Sequence, residues 1–420
     1  MKSVSLASQR HLVATPKPGM LASLARKLVL AQLKRLEIGN LSLVDGDFST
    51  SFGQSPGRAE FTATIDVIDE SFYADIAFGG SIGAGEAYMR GSWQCDDLVS
   101  LVRILLRNRH VLDNLEKGTA RLTQPLQKFF HWFNRNTRTG ARRNISAHYD
   151  VGNDFFSLWL DESMMYSSAM FEQPDQSLGA AQQHRLDVVC EKLNLQPGDH
   201  ILEIGTGWGG LAIHAAKNYG CRVTTTTISK QQYEMAYQRI IDAGLEDRIT
   251  LKLEDYRDLD GSYDKLVSIE MIEAIGSEQY DTYFRQCGRL LKPGGRMLIQ
   301  AITIADQQYA YAQRNVDFIQ RYIFPGSCLP SLSVMVASIV KVSDMLVTGV
   351  EDIGLDYALT LNHWRQNFFT HINEFVDRGY PEEFIWMWEF YLCYCEGGFL
   401  ERVISDVHLV ADKPLISGCE

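Results

Sequence analysis

HILEIGTGWGGLAIHAAKNYGCRVTTTT, residues 200–227, decides the fold. HILEIG is an apolar run of strand composition, Trp208 to Asn218 carries apolar side chains at helical spacing, and CRVTTTT from Cys221 is β-branched again. Between strand and helix stand Gly205, Gly207, Gly209 and Gly210, where absent side chains let a ligand approach the backbone and the helix start offers free N–H groups. Strand, glycine turn, helix and strand form the opening unit of a doubly wound α/β sheet. The spacing is related to a dinucleotide fingerprint. The second strand, however, ends in threonines and lacks the acidic residue that would hold the ribose of a nicotinamide cofactor.

Downstream the alternation continues. Gln231–Ala243 reads as a helix, ITLKL (249–253) and DKLVSIE (264–270) as strands, Gln279–Leu291 as a helix and RMLIQAI (296–302) as a strand. Upstream the pattern changes. Residues 21–40 read as an amphipathic helix ending near Gly39, and FTATIDVID and FYADIAF, between Leu41 and Phe78, read as short strands. Helices resume around Leu98 to Asn114, and the polar run Asn134–Asn144 is the expected hinge between two domains.

The 420 residues carry a net charge of -12, which argues against a general nucleic-acid binder. Against that background, Leu101–Asn144 holds ten basic residues and two acids, a local +8, around Phe129, Phe130, Trp132 and Phe133. Such a pairing of charge and rings suits the headgroup layer of an anionic bilayer, although a solvated helix pair joined by a linker has the same composition. No run is long and apolar enough for a membrane span or a signal peptide, so a soluble, cytoplasmic protein is expected. The eight cysteines show neither a disulfide framework nor zinc-ligand spacing, and no metal is expected.

The glycine turn, the later LKPGGRMLI (291–299) and the strand order resemble the class I S-adenosylmethionine methyltransferases. Three further blocks resemble the cyclopropane-fatty-acyl-phospholipid synthase family: AHYDVGNDFFSLWLDESMMYSSAMF (147–171), TISKQQYEMA (227–236) and YIFPGSCLPS (322–331). DYRDL (255–259), YDTYF (280–284) and SIGAGEAYMRGSWQCDDL (81–98) extend the similarity over roughly residues 20–405. The resemblance implies an α/β fold. Its parts would be a Rossmann-like, seven-stranded methyltransferase sheet with helical additions over 141–420 and a smaller mixed α+β lipid-binding and dimerising domain over 1–140. It implies S-adenosyl-L-methionine as cofactor, at Tyr166, Ser167, Gly205, Gly207, Thr227, Ile228, Gln232 and Tyr256. Thr227 and Gln232 would serve the polar ends of that molecule, and Ile228 and Tyr256 its adenine.

The implied reaction adds a methyl(ene) group to the double bond of an unsaturated fatty acyl chain in a phospholipid, closing a cyclopropane ring. An isolated alkene is a weak nucleophile, so alignment, a dry channel and aromatic faces near a passing cation must carry catalysis. Tyr149, Phe156, Tyr166, Phe171, Phe318, Tyr322 and Phe324 are candidate rings, although plain core packing is the favoured reading of each. The family's base is a bicarbonate ion held by Cys, Glu, His, Tyr and a backbone group. Here Glu273, Tyr357 and Ile302 match, but Ser168 replaces the Cys, Gln300 the His, and Ala274 the His that follows the glutamate. The set loses a cation and a titrating group, which puts bicarbonate in doubt. Two acids, Glu270 and Glu396, are candidates for a built-in carboxylate in its place, and the bland reading of Glu396 is an ion pair with Arg402 or Arg321. A displaced base leaves open methylation at carbon without ring closure. The remaining readings are a small-molecule methyltransferase and a non-catalytic lipid-binding homologue. The resemblance further implies a homodimer working peripherally on the inner membrane face.

Overall fold

The computed structural model describes residues 20–117 and 152–415. The basic, aromatic stretch beyond Lys117, the expected hinge at 134–144 and the candidate ring Tyr149 lie outside the described residues. The protein forms two units.

Within the described residues, the first unit comprises 20–117, 317–322 and 365–403. Its sheet runs β2-β1-β3-β4, with β1 (Asn40–Asp45) antiparallel to β2 (Phe48–Gly53), parallel to β3 (Thr62–Val67), and β4 (Trp93–Cys95) antiparallel to β3. Leu41, Leu43, Ala63 and Ile65 fill one face by strand alternation. The first helix, Met20–Leu33, stops short of Gly39, because the Asn108 amide captures the Glu37 and Ile38 N–H groups at 2.8 and 3.1 Å. FYADIAF is not a strand: it lies in the helix Ser71–Met89, which kinks at Gly80. Its buried Phe72, Tyr73, Ala77 and Gly80 fall on a helical face, and burial of that face overrides the β-like local alternation.

Helices Leu98–Arg107 and Glu382–Leu400 pack closely in this unit, where a Cβ on Gly397 would come within 2.6 Å of Val102 Cγ1. Arg103 and Arg107 both bind Glu401, at 2.6 and 2.7 Å, and Tyr88 donates to buried Glu389 at 2.8 Å.

The second unit comprises 152–316, 323–364 and 404–415 of the described residues. Its seven-stranded sheet has the order β10-β11-β9-β8-β5-β6-β7. The five strands read from the sequence are β5 (His200–Ile204), β6 (Arg222–Thr227), β7 (Ile249–Leu253), β8 (Tyr263–Ile269) and β9 (Leu291–Ile304), all parallel. Two strands missed in the sequence complete it: β10 (Leu346–Asp352) at the edge and β11 (Ile404–Asp412), antiparallel to both β9 and β10. This is the Rossmann-like sheet that the resemblance implies. Leu202, Ile204, Leu266, Met297 and Ile299 pack one face, and Ile201, Val223, Val267 and Leu298 the other, so both faces are buried. Chain order reverses between β5 and β8, and a doubly wound sheet opens its ligand crevice at the carboxyl ends flanking such a switch.

Because Gly397 accommodates Val102, Gly397→Val should cost about 1–3 kcal/mol through overpacking. Denaturant unfolding of the purified variant checks this, with a lowered midpoint expected.

Candidate active site

At the end of β5 the backbone takes φ +101° at Gly205 and φ +54° at Gly207, both favouring glycine, and nothing lies within 4 Å of a Cβ built on Gly207. Gly205 and Thr206 N–H groups donate to Thr226 O at 3.1 and 2.9 Å, fastening the turn to the end of β6. The helix Gly210–Tyr219 then starts with its N-terminus beside the open side of the turn. Below it, Thr225 donates to Glu203, and burial pushes the Glu203 carboxyl up to about 8.

At the end of β6, Thr227 donates to Gln232 Oε1 at 2.8 Å and accepts from Ser229 N–H at 3.1 Å, while Ser229 caps the helix Lys230–Asp242. Ile228 is half-buried beside them. Tyr256 is 8% exposed, and its hydroxyl has no hydrogen-bond partner among the described residues. A glycine turn with open space, a helix N-terminus and two buried polar side chains at the second strand end suit a ligand with an amino-acid end and a ribose. These residues fit S-adenosylmethionine.

The segment carrying Tyr166, Ser167 and Ser168 is held from two sides. Arg239 donates to Ser163 O and Trp208 O at 3.1 and 2.8 Å, and Gln182 donates to Ser167 O at 2.8 Å. Ser167 Oγ takes a 3.1 Å bond from Arg185, which is fully buried and whose Nε and Nη1 lack a partner among the described residues. Tyr166 stands in an aromatic wall with Phe156, Trp159, Trp364 and Phe324, at centroid distances of 5.3, 5.6, 5.3 and 6.4 Å. Phe171 stacks on His363, while Phe318 and Tyr322 belong to the first unit.

Four of the expected catalytic residues meet at one carboxylate. Glu270 Oε1 accepts from Ser168 N–H and from Gln300 Nε2, both at 2.8 Å, and Glu270 Oε2 accepts from Tyr357 Oη at 2.7 Å. Ser168 thus contributes its backbone N–H, while its hydroxyl turns to Ala169 O. Glu270 sits just past β8 with φ +48°, a conformation seldom adopted by a residue with a side chain, and keeps part of its surface open. Glu273 is 7% exposed; its Oε1 accepts from Ile302 N–H at 2.5 Å, and its Oε2 has no partner among the described residues. Burial, with help from the Glu270 charge, pushes the Glu273 carboxyl up to about 8, so it is protonated at neutral pH.

Two members of the cluster were not foreseen. Asp406 Oδ2 accepts from the same Gln300 nitrogen at 2.8 Å, and His408 Nε2 lies 3.1 Å from Gln300 Oε1. Desolvation raises both Glu270 and Asp406. Glu270 has three donors and the attraction of Arg185, whereas Asp406 has one donor, faces Glu270 and Glu273, and leaves Oδ1 without a partner among the described residues. Of the two, Asp406 is pushed up further and is the one that takes a proton more readily, while the donors and Arg185 favour the charged form of Glu270. The signal for both residues was the polar alternation in ISDVHLVAD (404–412), inside what is a buried strand. Glu396 belongs to the first unit. Its carboxylate pairs with Arg365 at 2.9 and 3.3 Å, rather than with Arg402 or Arg321 as the ion-pair reading anticipated. Among the described residues no group of His, Cys, Asp and Glu is arranged to hold a metal ion.

Comparison with known proteins matches residues 136–409 to the family described as mycolic acid cyclopropane synthetase. Tuberculostearic acid methyltransferase UfaA1 of Mycobacterium tuberculosis is 38% identical over 76% of this chain and 76% of its own. Cyclopropane-fatty-acyl-phospholipid synthase of Escherichia coli K12 is also 38% identical, over 85% of this chain and 89% of its own. Among solved structures, mycolic acid cyclopropane synthase CmaA1 complexed with SAH and CTAB superposes with a TM-score of 0.61 at 30% identity, covering 65% of this chain and 98% of that one.

A Glu273 carboxyl at about 8 binds more protons folded than unfolded, so its contribution to stability is full below about 4.5 and is lost as pH rises through about 8. The stability of Glu273→Gln relative to wild type should therefore improve steadily from pH 5 to pH 8.5, measured by denaturant unfolding. A difference that does not change with pH would contradict the assignment.

Proposed function

The chain belongs to the mycolic acid cyclopropane synthetase family and is an S-adenosylmethionine-dependent methyltransferase; on that premise we propose that it modifies the double bond of an unsaturated fatty acyl chain in a phospholipid, with Glu270 as the base. The observation that carries this reading is the convergence of Ser168 N–H, Gln300 and Tyr357 on one carboxylate.

When bound, S-adenosylmethionine supplies a sulfonium methyl to which the alkene's π pair adds, leaving an alkyl cation that must lose one proton. Glu270 suits that proton. Its three donors and nearby Arg185 favour its charged form and oppose the upward push of burial. The Tyr166 wall supplies aromatic rings suited to tolerating a transient positive charge and to excluding water. Protonated Asp406 and Glu273 prevent a second negative charge from competing for the Gln300 and Ile302 donors. A carboxylate on these donors leaves no need for bicarbonate.

We assign ring closure as the product: the cation's added methyl gives its C–H proton to Glu270, and the freed electron pair forms the third ring bond. Methylation at carbon without a ring is the second reading, favoured by the relative described as a tuberculostearic acid methyltransferase. We read residues 1–140 as the lipid-facing, dimerising part and 141–420 as the catalytic part. The +8 stretch at 101–144 supports binding at an anionic inner membrane surface, and the net charge of -12 leaves nucleic acid an unsuitable partner. Among the described residues no helix is long and apolar enough to cross a membrane.

Glu270→Gln should bind S-adenosylmethionine in calorimetry yet lose turnover roughly 10²–10⁴-fold, and added bicarbonate should not restore it. Glu396→Gln should lose stability by about 1–3 kcal/mol and keep its turnover per folded molecule. Full activity in Glu270→Gln would remove the assignment. Lipids from expressing cells should gain the mass of one CH2 per modified chain and resist mild hydrogenation, since uptake of hydrogen would indicate a methylene branch instead of a ring. Purified protein should co-sediment with anionic vesicles at low salt and dissociate at high salt; salt-independent or absent binding would contradict the membrane reading.

A further inference from the structure

The direction of every hydrogen bond in one buried row follows from its outermost member. Lys192 is the last residue of the helix Leu178–Lys192 and pairs with exposed Glu351. Its ammonium has only donors to offer, and it lies 2.6 Å from His408 Nδ1. That contact makes Nδ1 an acceptor, which places the proton of the neutral ring on Nε2, 3.1 Å from Gln300 Oε1. With its oxygen so engaged, the Gln300 amide aims both protons at acid oxygens, Glu270 Oε1 and Asp406 Oδ2, at 2.8 Å each. Reversed, the amide would set its oxygen against Glu270 Oε1 and take away that carboxylate's donor.

The register of the sheet builds this row. His408 stands directly opposite Gln300 in the β9–β11 ladder, and Asp406, two residues earlier, points to the same face. Gln300, Asp406 and His408 are at most 1% exposed, so no solvent competes for these bonds. Burial, with Lys192 and Arg185 close by, holds the His408 ring well below the ordinary histidine range, which keeps it neutral.

Accepting Glu270 as the base, we infer that Lys192 and His408 are positioning residues for the reaction: they fix the direction of the Gln300 amide and thereby secure for Glu270 a donor to its ionised form. The other charged or titratable groups facing Glu270 are Arg185 from the helix Leu178–Lys192, Tyr357 from the helix Gly354–Thr370, Asp406 from β11, and Glu273. The substitutions below leave all four in place.

The test is the pH dependence of kcat/KM for the full-length protein on unsaturated phospholipid vesicles, for wild type, Lys192→Met, Lys192→Arg and His408→Leu. Loss of the donor disfavours the charged carboxylate. The acid limb should move up by about one pH unit in Lys192→Met, a roughly tenfold loss on the acid side with a smaller change on the alkaline plateau. Lys192→Arg, still a pure donor, should bring the limb back toward wild type. His408→Leu removes no charge and should move the limb in the same direction, which separates orientation from simple charge loss. Lys192 is the partly exposed member of the row, so its variants keep the test decisive if His408→Leu does not fold. An unmoved limb, or a uniform loss of rate at all pH values, overturns the inference while leaving Glu270 as base. A fully active Glu270→Gln protein overturns both.

Discussion

A carboxylate deprived of water must be given back hydrogen bonds, and the second unit is arranged around that requirement at Glu270. Ser168 N–H, the Gln300 amide and the Tyr357 hydroxyl donate to it, and Arg185 lies buried nearby. Supplying donors to one acid and withholding them from its neighbours separates their protonation states. The donors favour the charged form of Glu270, while Asp406 and Glu273, each with an oxygen left without a partner among the described residues, are pushed further toward the protonated form. A single negative charge beside a lipid-derived cation is a usable base; three would repel one another and be neutralised.

Topology brings these groups together from distant parts of the sequence. The β5–β8 switch opens the crevice, the glycine turn lines one side, and the loop after β8 delivers Glu270 to the other. β9 supplies Gln300 and the Ile302 N–H, and the helix Gly354–Thr370 supplies Tyr357. The reversed strand β11 lays Asp406 and His408 across from β9.

What was legible in the sequence was local. The glycine turn and the five parallel strands announce themselves through period and composition within a dozen residues. Glu270 stands out as an acid at a position where the family often has none. Other features depend on pairings that sequence does not display. Asp406 and His408 acquire a role only through the β9–β11 register, and Ser168 acts through a backbone N–H, a group every residue but proline has. For Glu396 the sequence leaves a base and an ion pair equally open, and its partner Arg365, 31 residues away, is not among those that sequence suggests. FYADIAF alternates like a strand, yet the face that it buries has helical spacing.

The central claim is that the protein's own carboxylate takes the place of a diffusible anion among these donors. A high-resolution crystal structure of the protein with S-adenosylhomocysteine, grown in bicarbonate-containing buffer, tests it most directly. The expected result is continuous density joining the Glu270 side chain to a carboxylate within hydrogen-bond reach of Ser168 N–H, Gln300 and Tyr357, and no separate ion there. A planar anion bound on those donors, with Glu270 turned away, would contradict it.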